Sequence, residues 1–210
     1  MSNEPLEPTQ KDAIILTMVE EIISLLGECH ESSLQKACFL YEEFFGGILQ
    51  FNFVYKGGVT HSYDLDDKIT HMRCNDTLDL ALNSKRTYPV LIHGINSNLL
   101  KLMCNKTIPK NKNRIKYATR QVARMKYGIP NIIYPLFVMA VHSEYKDCSD
   151  DEFALYMCES LKRLSNIEMY YIDALIALHL AKQLKYDAKL IDIDRSNMEE
   201  TIEENYSHNP

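Results

Sequence analysis

Histidine and cysteine residues at a short spacing are the first groups in this sequence that could do chemistry. His71 and Cys74 are three residues apart, so one helical turn could present both to a zinc ion, with His61 or Cys38 as a further ligand. The sequence has no second close pair of such residues to complete a structural zinc site. We therefore interpret His71 and Cys74 as surface helix residues, and we predict that the protein holds no metal.

A cluster of acidic residues, Asp64, Asp66 and Asp67, follows His61 closely in the sequence. Grouped carboxylates can hold a divalent ion for nuclease chemistry, but such a site needs further ligands that the sequence does not supply. Asp64 fits the N-cap position of a helix, and Asp67 fits the positive N-terminal end of the same helix. Helix capping is thus the preferred interpretation, and a nuclease site is the alternative.

Motifs of the common enzyme classes do not occur in the sequence. There is no Gly-x-Ser-x-Gly nucleophile turn, and the glycine pairs at 46–47 and 57–58 lack the Gly-Lys-Ser/Thr run of a phosphate loop. His179 and Asp173, in an apolar segment, are predicted to be polar groups of the core and not catalysts. The sequence therefore predicts a protein that is not an enzyme and uses no cofactor.

The strongest functional pattern is the positive segment KNRIKYATRQVARMKYG, residues 112–128, in a chain whose net charge is -6. On a helical wheel this segment has an apolar side and a basic side. The apolar side consists of Ile115, Ala118, Val122 and Met125, and the basic side carries Lys116, Arg120, Arg124 and Tyr127. We predict an amphipathic helix that docks on a core and turns a row of cations outward.

Charge is unevenly distributed along the whole chain. The window between Asp79 and Glu144 has no acidic residue and eleven lysines and arginines, whereas the rest has 29 acidic residues against 12 basic ones. Such a separation favours a partner that carries phosphate or an acidic surface. The predicted contacts for nucleic acid or another polyanion are Lys112, Arg114, Lys116, Arg120, Arg124, Lys126 and Tyr127, together with Lys85 and Arg86. The alternatives are an acidic protein surface, or a solvated helix that pairs with the acidic C-terminal segment or with a partner subunit.

The elements that must position these groups are mainly helical. The N-terminal part has helical periodicity over residues 9–26, ended by Gly27, and over residues 32–45 after a Ser32 or Ser33 cap. A strand pattern over residues 48–56 precedes a third helix from about Tyr63. Two short strands, 77–83 and 88–94, flank a turn with Lys85 and Arg86 at its tip. This order predicts a winged-helix-like unit with a small antiparallel sheet.

The stretch SSLQKACFLYEEFFGGILQFNFVYKGGVTHSYDLDDKI resembles the start of the YwgA-like and Panacea (SocA-like) domains of bacteria and archaea. The resemblance covers roughly residues 10–95, and a Gly-Pro that usually precedes the third helix is replaced here by GGVTHS. The matching positions are Leu34, Gln35, Lys36, Phe39, Leu40, Phe51, Phe53, Tyr63, Leu65, Asp67 and Ile69. The resemblance implies a winged-helix-type domain and a role in regulation, toxin neutralisation or conflict with phages.

The second half of the sequence predicts helices only. A helix that contains Pro135 in its first turn follows the positive segment, and Ser149 with Glu152 forms a capping box for the next one. The last helix, 167–186, is apolar nearly all round and is predicted to be buried. We predict four regions: a winged-helix-like domain (1–95), a basic loop and amphipathic helix (96–130), a helical domain (131–191) and an acidic, flexible tail (192–210).

Cysteine usage and hydropathy bear on where the protein is located. The six cysteines form no Cys-x-x-Cys pair, no secretion signal is apparent, and charged residues interrupt the most apolar stretch. These features predict a cytoplasmic protein without a membrane partner. The sequence favours a non-enzymatic protein that binds duplex DNA or acts as an adaptor in bacterial phage defence or a toxin–antitoxin-like system. The alternative is an accessory subunit that bridges an SMC-like or ABC-type ATPase and an effector, since such subunits have a comparable size and helical build.

Overall fold

The protein is mostly helical with small antiparallel sheets, which confirms the predicted fold class. The computed structural model describes residues 8–46, 48–56, 59–82, 89–105, 107–128, 133–142, 147–165 and 168–207. Its helices are α1 (Pro8–Leu26), α2 (Glu31–Phe45), α3 (Tyr63–Cys74), α4 (Ser97–Met103), α5 (Thr107–Gly128), α6 (Tyr134–His142), α7 (Asp150–Ser165) and α8 (Tyr171–Ser207). Its strands are β1 (Val54–Lys56), β2 (Val59–His61), β3 (Leu78–Leu82) and β4 (Pro89–His93).

The first two helices end at glycines, as the sequence predicts, but α2 begins earlier than expected. Gly27, which follows α1, has a φ of +79°, a conformation that glycine adopts without steric cost. The N-cap of α2 is His30, whose carbonyl accepts from the amides of Ser33 (2.9 Å) and Leu34 (3.1 Å). The predicted Ser32 or Ser33 cap is therefore wrong, because both serines already lie inside the first turn.

Two separate hairpins replace the single small sheet of a typical winged helix. The strand β1 pairs with β2 from Val54↔His61 to Lys56↔Val59, and β3 pairs with β4 from Leu78↔His93 to Leu82↔Pro89. The predicted order of helices and strands lacks β2, which pairs with β1 before α3, and the predicted strand over 48–56 is shortened to β1. Its first part is irregular because Gln50 has a φ of +57° and the Leu49 amide donates to the Glu42 carboxylate.

The N-cap of α3 also differs from the prediction. The Ser62 hydroxyl accepts from the Leu65 amide at 3.3 Å, which is the N-cap interaction. Asp64 lies in the first turn, and its carboxylate accepts from the backbone and side-chain amides of Asn52, both at 3.1 Å. Asp64 thus holds the segment before the first hairpin and does not cap the helix.

The long helix α5 lies at the centre of the fold, where it packs mainly against α1 and α2. Its predicted apolar side is confirmed, because Ile115, Ala118, Val122 and Met125 are all buried. The helix is longer than predicted and includes residues 107–112, which the sequence suggested as part of a loop. The buried Tyr41 of α2 donates its hydroxyl hydrogen to the Asn111 side chain at 2.8 Å, which ties this extra turn to the core.

The remaining helices form a second layer in which α6 and α7 pack against α8. The predicted capping box is present, since the Glu152 amide donates to the Ser149 hydroxyl (3.3 Å) and the Ser149 amide donates to the Glu152 carboxylate (2.8 Å). Pro135 lies in the first turn of α6, as expected. Across the described ranges, no helix combines the length and the apolar character that a membrane span requires.

The last helix departs most from the sequence-based prediction. It runs from Tyr171 to Ser207 and includes most of the segment that was predicted as a tail. Only one face is buried, formed by Ala174, Ala177, Leu178, Ala181, Leu184 and Ala188. His179 is exposed and Asp173 is half-buried, so the prediction that they are core polar groups is wrong. Four alanines on this face let α8 approach α6 and α7 closely, with Leu178 and Leu184 buried beside them.

Candidate polyanion-binding surface

The outward side of α5 carries the cations that the sequence places opposite its apolar stripe. Arg120 and Arg124 are exposed, and Lys116 is partly exposed. These three residues follow one another at intervals of four, so they lie along one side of the helix, and we call them the basic row. Lys112 and Lys126 are also exposed. The side chain of Tyr127, and the hairpin tip with Lys85 and Arg86, lie outside the described residues.

The charge of this row is largely uncompensated within the chain. In the part of the chain that the structure describes, the side chains of Lys112, Lys116 and Arg120 make no ion pair. Arg124 donates to the neutral side chain of Gln121, at 3.5 Å. Asp187 of α8 lines a groove together with Arg124 and balances part of the charge at that end of the row. Lys116 and Arg120, which make no ion pair among the described residues, keep a positive potential that attracts anions from solution.

Arg114 has a different environment from the basic row. Its Nε donates to a carboxylate oxygen of Asp192, on α8, at 2.9 Å, and its guanidinium lies 5.5 Å from the centre of the Phe45 ring. Only 12% of the side chain is exposed. Arg114 therefore joins α5 to α8. At this one residue, a cation of the positive segment pairs with the acidic C-terminal segment, which is one of the alternatives that the sequence predicts.

An open groove of about 360 Å³ lies beside the first part of the basic row. Asn113, Lys116, Tyr117, Arg120 and Ile191 line it. The Tyr117 hydroxyl donates to the Leu184 carbonyl at 2.8 Å, and burial, with the nearby Asp187 carboxylate, raises the pKa of this tyrosine. The phenol thus stays neutral and fixed, while Lys116 and Arg120 are the charged groups that can meet an anion in the groove.

A second positive cavity, of about 260 Å³, lies between α2 and α5. Its lining includes His30, Ser32, Ser33, Lys36, Lys126 and Tyr134. The ammonium of Lys36 lies 4.4 Å from the centre of the Tyr134 ring, and burial lowers the pKa of this lysine. No local sequence pattern predicts this cavity, because Lys36 and Lys126 are far apart along the chain.

The groups considered for metal binding have structural partners. The Asp66 carboxylate lies 2.9 Å from the His61 ring and accepts from the Gln35 side chain at 2.8 Å. Gln35 also exchanges two hydrogen bonds, each of 3.0 Å, with the backbone of Ser62, so it fastens α2 to the start of α3. Among the described residues, no three His, Cys, Asp or Glu side chains are grouped as a metal site requires.

The four remaining candidates for a metal or nuclease site are similarly dispersed. Asp67 is exposed on α3. Cys38 is fully buried, and its thiol donates to the sulfur of Met18. Cys74 is exposed at the end of α3, and so is His71 one turn earlier. Comparison with family models of known proteins gives no match, and comparison with curated proteins gives none either.

Proposed function

We propose that this protein is a non-enzymatic, polyanion-binding protein whose basic row contacts the phosphate backbone of duplex DNA. The observation that carries the proposal is the difference in exposure between the two sides of α5. The apolar stripe is buried in the core, whereas the row of Lys116, Arg120 and Arg124 faces solvent without carboxylate partners among the described residues. The packed helix sets the spacing of these side chains in advance, so phosphate binding requires no rearrangement of the backbone.

This surface favours contacts with the phosphate backbone of DNA and not the recognition of bases. Side chains four residues apart on a helix are about 6 Å apart, which is close to the spacing of successive phosphates. Lysine and arginine that neutralise phosphates release counterions, so affinity depends steeply on salt and little on DNA sequence. The setting that we propose, bacterial phage defence or a toxin–antitoxin-like system, is supported by the resemblance of residues 10–95 to YwgA-like and Panacea domains.

A second candidate is an accessory subunit that bridges an SMC-like or ABC-type ATPase and an effector. Exposed apolar side chains around α4 favour it, because Ile95 is 91% exposed and Leu102 73% exposed, with Leu99 and Met103 beside them. Such a group of large apolar side chains on one short segment is typical of a protein contact. An acidic partner could in addition meet the basic row of α5.

The decisive experiment reverses the basic row in the full chain. We expect Lys116→Glu/Arg120→Glu/Arg124→Glu to lose roughly a hundredfold or more in affinity for duplex DNA, since three attractive charges become repulsive. A control variant, Arg73→Glu/Lys162→Glu/Arg163→Glu, changes the net charge equally at exposed sites on α3 and α7. Its DNA affinity should fall much less. Circular dichroism and thermal unfolding verify that both variants keep the fold.

Single neutralisations test the mode of contact. Lys116→Gln, Arg120→Gln and Arg124→Gln should each weaken binding about equally for all DNA sequences and lower the slope of log affinity against log salt by about one. A loss that depends on the DNA sequence would point to base reading instead. A triple variant that binds DNA as well as the wild type contradicts the proposal, and if it loses a co-purifying protein the accessory-subunit function is favoured.

The absence of catalysis is part of the proposal. We expect the purified chain to cleave neither nucleic acid nor nucleotide in the presence of Mg²⁺. The Asp64 carboxylate accepts a hydrogen bond from Asn52, and the Asp66 carboxylate contacts His61 and Gln35. Both carboxylates therefore stabilise the fold. Metal-dependent nuclease activity that Asp64→Ala or His61→Ala abolishes would contradict this part.

A further inference from the structure

One long, exposed stripe runs along α8 on the side away from the core. It contains five large apolar residues, Ile172, Ile176, Tyr186, Leu190 and Ile193, which are between 42% and 64% exposed. His179 and Gln183 lie between them in the same stripe, and both are exposed. The neighbouring face of α8, by contrast, is buried against α6 and α7. The helix α8 therefore has two apolar sides: one is buried against α6 and α7, and the other is the exposed stripe.

The spacing of the stripe is that of a coiled-coil seam. From residue 172 to residue 193 the steps are four, three, four, three, four and three, which is the alternation of d and a positions over three heptads. Ile176, Gln183 and Leu190 occupy a positions, and the other four residues occupy d positions. A polar residue at a single a position, such as Gln183, fixes register at a cost in stability.

The charges that flank the stripe identify the partner. With the seam so defined, Lys182 and Lys189 occupy g positions, while Asp187 and Asp194 occupy e positions five residues later in each case. In a parallel pair of identical helices, each g residue meets the e residue five positions along the other helix. Lys182 then meets Asp187 of the second copy. An antiparallel pair would instead place lysine against lysine and aspartate against aspartate.

We infer that two copies of this chain associate through a parallel coiled coil formed by α8. The seam buries the exposed apolar stripe, and the g and e residues set the orientation. Lys182 already lies 2.6 Å from Asp150 of α7 within the chain, but both side chains are about half exposed, so a second carboxylate can share this ammonium. The helix α5 adjoins one edge of the stripe, where Leu184 and Asp192 bond to it. Gln183 and Asp187 line a groove with Arg124 there, and the apolar residues of the stripe remain exposed.

Sedimentation equilibrium of the full chain tests the dimer. We expect the wild type to have a mass near twice that of one chain at micromolar concentrations, and Leu190→Glu to sediment as a single chain. Leu102→Glu on α4 is the matched control, because it places the same charge at an exposed leucine outside the stripe. This control should leave the dimer unchanged. A monomeric wild type, or a dimer that Leu190→Glu leaves intact, would overturn the inference.

A charge exchange tests the orientation and does not depend on any core substitution. Lys182→Glu/Lys189→Glu and Asp187→Lys/Asp194→Lys should each be monomeric alone, because like charges then flank the seam. Mixed in equal amounts, the two variants should form a heterodimer with the wild-type dissociation constant to within about tenfold. If the lysine-reversed variant pairs with the wild type more tightly than the wild type pairs with itself, the helices are antiparallel and the parallel arrangement is wrong.

Discussion

Arg114 and Asp192 form an ion pair with an Nε–Oδ1 distance of 2.9 Å, and this pair joins the basic helix to the C-terminal helix. The pair places a negative charge next to the basic row, in addition to the nearby Asp187 carboxylate. Since Arg114 is mostly buried and Asp192 is about one-third exposed, the pair holds the two helices together and also lowers the local positive potential.

The first prediction concerns this carboxylate. We expect Asp192→Asn to strengthen binding of duplex DNA by a few-fold at low salt, because the potential near the basic row becomes more positive. The free energy of unfolding should fall by about 1 kcal/mol or less, as for a partly exposed ion pair. Asp173→Asn removes the same charge at the other end of α8 and should leave affinity unchanged. Weaker DNA binding by Asp192→Asn would contradict the prediction.

A second prediction concerns the buried core of the segment that resembles YwgA-like domains. Leu40 is fully buried on α2, so Leu40→Ala should lower the free energy of unfolding by roughly 2–5 kcal/mol. Leu25→Ala, at a position that is 41% exposed, should cost much less. Urea unfolding of the two variants measures both changes. Equal effects at the two sites would mean that α2 is not packed as described.

The third prediction is a pH dependence that originates at Glu42. Burial raises the pKa of this carboxyl from its ordinary value of 4.5 to about 7, and hydrogen bonds from the amides of Leu49 and Gln50 lower it only in part. Because the folded chain then binds the proton more tightly than the unfolded chain, the free energy of unfolding falls as the pH rises from about 4.5 to about 7. The contribution is fully present below this window and lost above it.

Glu42→Gln should remove this dependence. We expect the difference in unfolding free energy between pH 5 and pH 8 to shrink by on the order of 1–2 kcal/mol, which is less than a fully buried group would give. Glu31→Gln, at an exposed site on the same helix, should leave the difference unchanged. A Glu42→Gln variant with the same pH profile as the wild type would show that the carboxylate is ionised in the folded chain throughout this range.

A fourth prediction follows from a close approach of two backbone segments. A Cβ atom at Gly94 would lie 2.0 Å from the carbonyl oxygen of Asp76, and the Gly94 amide donates to the Thr77 carbonyl at 3.0 Å. Gly94→Ala must therefore push the end of the β3–β4 hairpin away from the end of α3. We expect a loss of roughly 1–3 kcal/mol in unfolding free energy. Asn98→Ala, at an exposed site on α4, is the control, and an equally stable Gly94→Ala chain would contradict the close approach.

Local sequence patterns could predict those features that depend on neighbouring residues. The apolar stripe of α5 follows from helical periodicity, and the Ser149–Glu152 box follows from a four-residue motif. The Arg114–Asp192 pair could not be predicted in this way, since its partners are 78 residues apart. The cap of α3 was misassigned because the Asp64 carboxylate is occupied by Asn52, a contact that only the folded hairpin creates.

The central position of α5 has a consequence for how the chain reaches its fold. The apolar residues of α1, such as Ile15, are buried partly against α5, whose Ile115 lies 100 residues later. At about 5–20 residues per second, a ribosome needs roughly 5–20 s to make that intervening stretch. During this interval the first helices expose a face that their final partner has not yet covered. The nascent chain thus has a period of vulnerability to aggregation that ends only when the basic helix itself has been synthesised.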